Sequence, residues 1–158
     1  MDRADVTRGR GTDLADLLVA AQAAALTGVL WPGRARWRLP AAAIVGAGAL
    51  VVSGGALALA GAAPHTRLTP RVRPPADARL LTTGVYARTR NPIYVGLTAA
   101  TWGAAVLRRR RGPLVAAAAL TAVLAVKSRL EEGALADRFG PAYLDYAART
   151  PRFLGRAR

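Results

Sequence analysis

Residues 39–63 read LPAAAIVGAGALVVSGGALALAGAA, 25 positions without a charge. A helix needs roughly 20 mostly apolar residues to cross about 30 Å of hydrocarbon, so this run reads as a transmembrane helix. Gly46, Gly48, Gly54, Gly55 and Gly61 punctuate it. Small residues let helices approach closely where lipid supplies no hydrophobic drive for association. Packing within one chain and pairing of two chains would use such glycines equally.

The remaining composition fits a chain built around that segment. Of 158 residues, 53% are hydrophobic, yet the formal charge is +14. The charges sit in blocks between apolar runs, which is the pattern of a multi-span membrane protein. The length favours one domain. There is no cysteine, which excludes a disulfide scaffold, a cysteine zinc site and a cysteine nucleophile. His65 is the only histidine, so neither a histidine metal centre nor a Ser-His-Asp triad can be assembled, and no metal is expected. Lys127 is the only lysine; arginine with abundant Ala, Gly and Pro reads partly as the bias of a high-GC bacterial genome. The arginines flank apolar stretches and do not alternate with polar and aromatic positions. Lipid headgroups, and not nucleic acid, are therefore the expected partner.

Another apolar run covers about Leu14–Trp31, with Asp16 near its start, Gln22 inside it and Trp31 at headgroup depth. A signal peptide competes for this segment, but no small-x-small cleavage site follows and a second apolar run does. Ile93–Leu107 and Pro113–Val126 have 15 and 14 residues. At helical rise each is about 22 Å long, too short alone to cross. The second should continue as helix through Lys127 to Phe139 and stop at Gly140-Pro141. Arg108–Arg111 and Gly112 join the two into a helical hairpin that spans with snorkelling arginines or dips and returns.

No alternating strand pattern occurs. The expected fold class is all-α: a polytopic membrane protein of about four transmembrane helices with a C-terminal hairpin and an interfacial tail. Residues 1–63 form a two-helix membrane region, 64–79 a Pro/Arg-rich connector, and 80–158 the region that carries the chemistry. Sixteen Lys and Arg fall on the side of both termini and seven on the other. That asymmetry places the N- and C-termini in the cytoplasm of a multi-pass protein of the cell (inner) membrane.

Two stretches hold the reactive side chains. Leu80–Gly96 reads LLTTGVYARTRNPIYVG. Thr82, Thr83 and Gly84 form a turn, and Tyr86, Arg88, Arg90 and Asn91 crowd against Pro92, which opens a helix at its first turn. The free amides and positive end of that helix suit an anionic group; an interfacial collar with an Asn cap is the plainer reading. Arg129–Phe153 reads RLEEGALADRFGPAYLDYAARTPRF and contains the only glutamates, Glu131 and Glu132. Adjacent on a helix, these point about 100° apart and cannot both face one target. Arg129 offers Glu132 a local partner. A carboxylate at the membrane border beside an Arg/Asn/Tyr cluster would hold a ligand carrying both an ammonium and a carboxylate. Tyr143 and Tyr146, with Phe139 and Phe153, would cover an apolar or aromatic group, or simply form an interfacial amphipathic helix.

Gly84-x-Tyr86-x-x-x-Arg90-Asn91-Pro92-x-Tyr94-x-Gly96 resembles the G-x-Y-x-x-x-R-[HN]-P-x-Y-x-G signature of the isoprenylcysteine carboxyl methyltransferase and phospholipid methyltransferase superfamily. Glu131-Glu132-x-x-Leu135-x-x-x-Phe139-Gly140-x-x-Tyr143-x-x-Tyr146 resembles its second signature, and Arg149-Thr150-Pro151-Arg152-Phe153 its basic, Pro-containing tail. The likeness covers Leu80 to Phe153, about half the chain. It implies an integral-membrane methyltransferase that uses S-adenosyl-L-methionine without a Rossmann domain; indeed no G-x-G follows a predicted strand. In such enzymes the cofactor comes from the cytoplasm and the lipophilic acceptor from between helices.

By the same resemblance, Gly84, Tyr86, Arg90, Asn91, Pro92, Tyr94, Gly96, Glu131 and Glu132 bind the cofactor, with Glu132 favoured for its α-ammonium. Arg90 and Glu132 are the catalytic pair, and Tyr143, Tyr146 and Arg149 bind substrate. Position 91 is His in the eukaryotic carboxyl methyltransferases. Asn91 hydrogen-bonds but does not titrate near neutral pH, which excludes a histidine general base there. Methyl transfer from a sulfonium mainly needs alignment and removal of water, so the loss is tolerable. Family acceptors include a prenylated cysteine carboxylate, an ethanolamine lipid amine and a small thiol; a membrane lipid or small lipophilic substrate ranks first here. Two alternatives stand beside the enzyme: a small four-helix transporter, and a non-catalytic scaffold with a degenerate site. A transporter should carry an ionisable residue deep in a span; by the sequence only Asp16 comes close, and the third and fourth runs have none.

Overall fold

The structure, a computed structural model, describes residues 3–65 and 79–155, with side chains from Leu14 onward in the first segment. Among these residues are five α-helices and no strand: α1 Arg3–Leu30, α2 Ala41–Ala62, α3 Pro92–Arg108, α4 Arg111–Phe139 and α5 Pro141–Arg149. A 3-10 turn, Gly84–Ala87, precedes α3. The connector expected at 64–79 lies, but for its ends, outside the described residues.

The chain is an all-α membrane protein. α2 and α4, of 22 and 29 residues, are long and apolar enough to cross a membrane, and α1 contains a shorter apolar stretch, Leu14–Leu30. The fourth apolar run gains its length as the sequence predicts, by continuing through Lys127 to Phe139. Gly112 and Pro113 do not interrupt it because they fall in the first turn, where a missing N–H costs nothing.

Two modes of packing hold the bundle. α1, α3 and α4 meet through side chains: Val29, Ala105 and Ala117 form one apolar cluster, and Ala25, Leu120 and Leu124 another. α2 instead lies on α3 almost backbone to backbone. A Cβ at Gly54 would stand 2.5 Å from the nitrogen of Ala100, and one at Gly103 would stand 2.5 Å from the carbonyl of Ala47. Only glycine permits that approach, which gains dispersion contact where the hydrophobic effect between helices is absent. The far face of α2 leaves Val45, Val52 and Leu59 exposed, as a lipid-facing surface should.

The two ends of the bundle differ. At one, the α3–α4 turn docks on the α1–α2 connection. Arg109 takes a left-handed φ of 54° and its carbonyl accepts the Arg36 N–H at 2.9 Å. Arg108 donates to the Leu30 carbonyl at 2.9 Å, and Arg110 to those of Trp31 and Pro32. These bonds satisfy carbonyls at and just beyond the end of α1. At the other end the start of α3, the end of α4 and α5 converge.

Candidate functional site

The 3-10 turn begins at Gly84, whose φ of 61° suits glycine. It turns Tyr86 inward, where the hydroxyl donates to the Gly61 carbonyl at 3.0 Å and lies 2.8 Å from His65 Nε2. The Tyr86 carbonyl accepts the Tyr146 hydroxyl at 2.7 Å, so the turn is fixed to α2 and α5 together. Three more bonds lash the C-terminal tail to the segment before α3. Arg90 N–H donates to the Pro151 carbonyl at 2.9 Å, and Thr89 Oγ1 and Asn91 Nδ2 both donate to the Arg152 carbonyl, at 3.1 and 3.0 Å.

Asn91 occupies the N-cap of α3 ahead of Pro92, but its side chain makes no capping bond. It donates instead to Glu132 Oε1 at 3.2 Å. Glu132, 8% exposed, also receives Arg152 Nε at 3.0 Å on each oxygen and Arg152 Nη2 at 2.8 Å; Arg90 Nη2 stands 3.5 Å away. A buried carboxylate is tolerable when paired and hydrogen-bonded this fully. That hydrogen bonding holds the Arg152 guanidinium above its ordinary range. Arg129, the local partner offered by spacing, is exposed, and Glu132 turns to the distant arginines.

Among the described residues, two buried polar atoms here make no hydrogen bond of ordinary geometry: Arg90 Nε and the Tyr143 hydroxyl. Tyr143 packs beside the Arg90 guanidinium and meets Tyr146 edge to face, with ring centroids 6.2 Å apart. Burial pushes the phenols of Tyr86, Tyr143 and Tyr146 up to about 12, so all three remain protonated donors at physiological pH. Such donors are few in a folded protein, and a polar ligand is one kind of partner that satisfies them.

Glu131 diverges from Glu132, as their helical offset requires. Its Oε1 accepts the Tyr94 hydroxyl at 2.6 Å. Lys127, one turn earlier on α4, lies 5.6 Å from the Tyr94 ring centroid and donates to Gln22 Oε1 of α1 at 3.0 Å. Lys127 is 2% exposed, which corrects the expectation that the fourth membrane segment carries no buried ionisable group. That expectation ended the span at Val126, whereas α4 carries the bundle interior further.

Of the residues picked from the sequence, Arg90, Asn91 and Glu132 share one hydrogen-bonded cluster, and Tyr94 and Glu131 form the adjoining pair. Tyr86, Tyr143 and Tyr146 wall them in. Gly84, Pro92 and Gly96 serve the backbone instead: a positive φ, a helix start, and the close approach of α2 to α3. Arg149 is exposed on α5, outside the cluster. Sequence reasoning passed over Arg152, Thr89, Gln22 and Lys127. Arg152 was within reach, since it stands in the basic tail motif; the other three carry no motif.

The arrangement sets two guanidiniums against one carboxylate, with a second carboxylate adjoining and the Arg152 side chain 36% exposed. Alternating charges of this kind have the chemistry to pair with both ends of a zwitterion. A family profile described as phospholipid methyltransferase matches residues 43–142. No curated protein and no solved structure matches the chain.

Proposed function

Because the chain belongs to the phospholipid methyltransferase family, we propose that it is an S-adenosylmethionine-dependent methyltransferase of the cell (inner) membrane that modifies a lipophilic acceptor. The observation that carries this reading is the convergence of the two motif stretches on Glu132, through Asn91, Arg90 and Arg152.

The residues fit the amino-acid end of that cofactor. Arg90, whose buried Nε makes no hydrogen bond of ordinary geometry, and Arg152 offer guanidiniums to a carboxylate. Glu132 offers its carboxylate to an ammonium. Arg152 lies on the exposed side, so its transfer onto the ligand carboxylate frees Glu132 while every charge keeps a partner. Tyr143 supplies a second buried donor beside Arg90. When bound, the cofactor brings a methyl group already activated on sulfonium, and the protein's work is alignment and exclusion of water. The tyrosine wall and the tail lashed over Asn91 provide that shelter. A carboxylate acceptor needs no base there, and an amine or thiol needs only to arrive deprotonated. We read the acceptor as a membrane lipid or small lipophilic molecule, the termini as cytoplasmic, and residues 80–158 as the catalytic region.

Calorimetry of the purified protein with S-adenosylhomocysteine tests the site. Labelled cofactor with a lipid extract then identifies the product. Saturable heat and a labelled lipophilic product are expected; absence of both would leave a non-catalytic scaffold.

A further inference from the structure

Gln22 and Lys127 lie outside both motif stretches, and the reaction above gives them no task. Yet the Lys127 side chain is 2% exposed, on a helix long and apolar enough to cross the membrane. Just beyond it, Leu124, Leu120 and Ala25 close an apolar core with Leu26 and Leu97. An ionisable group retained at such depth is costly, and its partners show what it serves. On one side Lys127 donates to Gln22 Oε1 at 3.0 Å. On the other it faces the Tyr94 ring, whose hydroxyl is given to Glu131 at 2.6 Å. The i, i+4 spacing places the Lys127 and Glu131 side chains on one face of α4, and both engage Tyr94, Lys127 at its ring and Glu131 at its hydroxyl. Without Lys127 beside it, Glu131 would be a half-buried carboxylate whose one hydrogen bond, among those described, comes from Tyr94, and the pair would be free to swing towards water.

We infer that Lys127, held in place by Gln22, is a positioning residue that holds the Tyr94–Glu131 pair where it adjoins the cofactor site. Helix α1 is thereby a working part of the active unit, although it precedes the residues 43–142 that match the family. This inference rests on the cofactor reading of the adjoining site. A purely structural role would be met as well by apolar residues of similar volume, since replacing a buried polar pair by hydrophobes is often neutral for stability. The two roles therefore separate on ligand affinity at constant fold.

The experiment uses the full chain in detergent or nanodiscs. S-adenosylhomocysteine affinity is measured by calorimetry, and kcat and the cofactor KM by labelled methyl transfer to a lipid extract. Lys127→Met should weaken the ligand and raise the cofactor KM by about tenfold with kcat changed less than about threefold, the size of coupling typical of contacting residues. Lys127→Arg should restore most of the affinity. Gln22→Leu should fall between, and the Gln22→Leu/Lys127→Met double variant should unfold within a few degrees of wild type. Wild-type affinity in Lys127→Met, or equal loss in Lys127→Arg, overturns the inference. Should Lys127→Met fail to fold, Gln22→Leu decides by the same criterion. If the wild type itself binds no S-adenosylhomocysteine, the cofactor reading falls and takes this inference with it; if wild type and variants bind alike, only the inference falls.

Discussion

Gly54 and Gly55 are neighbours on α2 with opposite surroundings, and alanine at each gives opposite results. A Cβ at Gly54 would stand 2.5 Å from the Ala100 nitrogen and 2.6 Å from the Gly96 carbonyl oxygen, both backbone atoms of α3 that cannot rotate aside. Restoring an ordinary contact of 3.4 Å from 2.5 Å moves the two helices apart by about 0.9 Å, and a gap of that size forfeits roughly a quarter to a half of each dispersion contact. Overpacking costs about 1–3 kcal/mol, and the backbone obstacle puts Gly54→Ala near the top of that range. A Cβ at Gly55 meets nothing within 4 Å, so Gly55→Ala gains about 0.5–1 kcal/mol of helix stability. The pair should differ by about 3.5–4 kcal/mol, or roughly 7–16 °C in Tm for a chain of this size. Thermal unfolding in one detergent, followed by tryptophan fluorescence and circular dichroism, measures it. Equal Tm values for the two variants would refute the α2–α3 packing described. Because α3 carries Asn91 and Tyr94 at its N-terminal end, Gly54→Ala should also lose activity out of proportion to its folded fraction.

Further outcomes follow from the site. Arg90→Ala and Glu132→Ala should abolish methyl transfer while each variant elutes from size exclusion as wild type does; near-normal turnover in either removes that residue from the assignment. Arg152→Ala should cost about 1–2 kcal/mol of ligand affinity, less than a fully buried pair because the guanidinium is partly solvated, and should expose the tail to protease at Arg149–Phe153. Tyr86, Tyr143 and Tyr146 remain protonated to about 12 through burial, whereas the unfolded chain ionises near 10.0. Their stabilisation is therefore complete below pH 10 and is lost as pH rises towards 12. Denaturant midpoints should fall across that window, and Tyr143→Phe should flatten part of the decline; flat midpoints to pH 11.5 would contradict it. Arg110→Ala should lower stability by about 0.5–1 kcal/mol by freeing the exposed carbonyls of Trp31 and Pro32, measurable as a Tm shift.

Much of the architecture was legible because membrane helices announce themselves locally. The charge-free run at 39–63 required α2, and the apolar run ending at Val126 led into a helix that stops at Gly140, where φ is 52°. The divergence of Glu131 and Glu132 followed from helical geometry alone. Other features were invisible for equally definite reasons. Asn91 looks like a cap beside Pro92, and the arrival of Glu132 from α4 and of the Arg152 carbonyl from the tail draws its amide away. Gly96 reads as a motif residue, yet the carbonyl of Gly54 already explains why no side chain fits there.

The sequence by itself determined the helices, the glycines that allow close approach, and the confinement of both motif stretches to one rim of the bundle, because hydropathy and turn chemistry act over a few residues. Only the tertiary structure decided which charges meet. Glu132 exchanges its near neighbour Arg129 for Arg152 and Arg90, and Lys127 reaches back across 105 positions to Gln22. Such pairings depend on where α5 turns back at Gly140 and on which face of α4 meets α1. A buried charge takes the partner that packing brings within reach, and distance along the chain has no part in that choice.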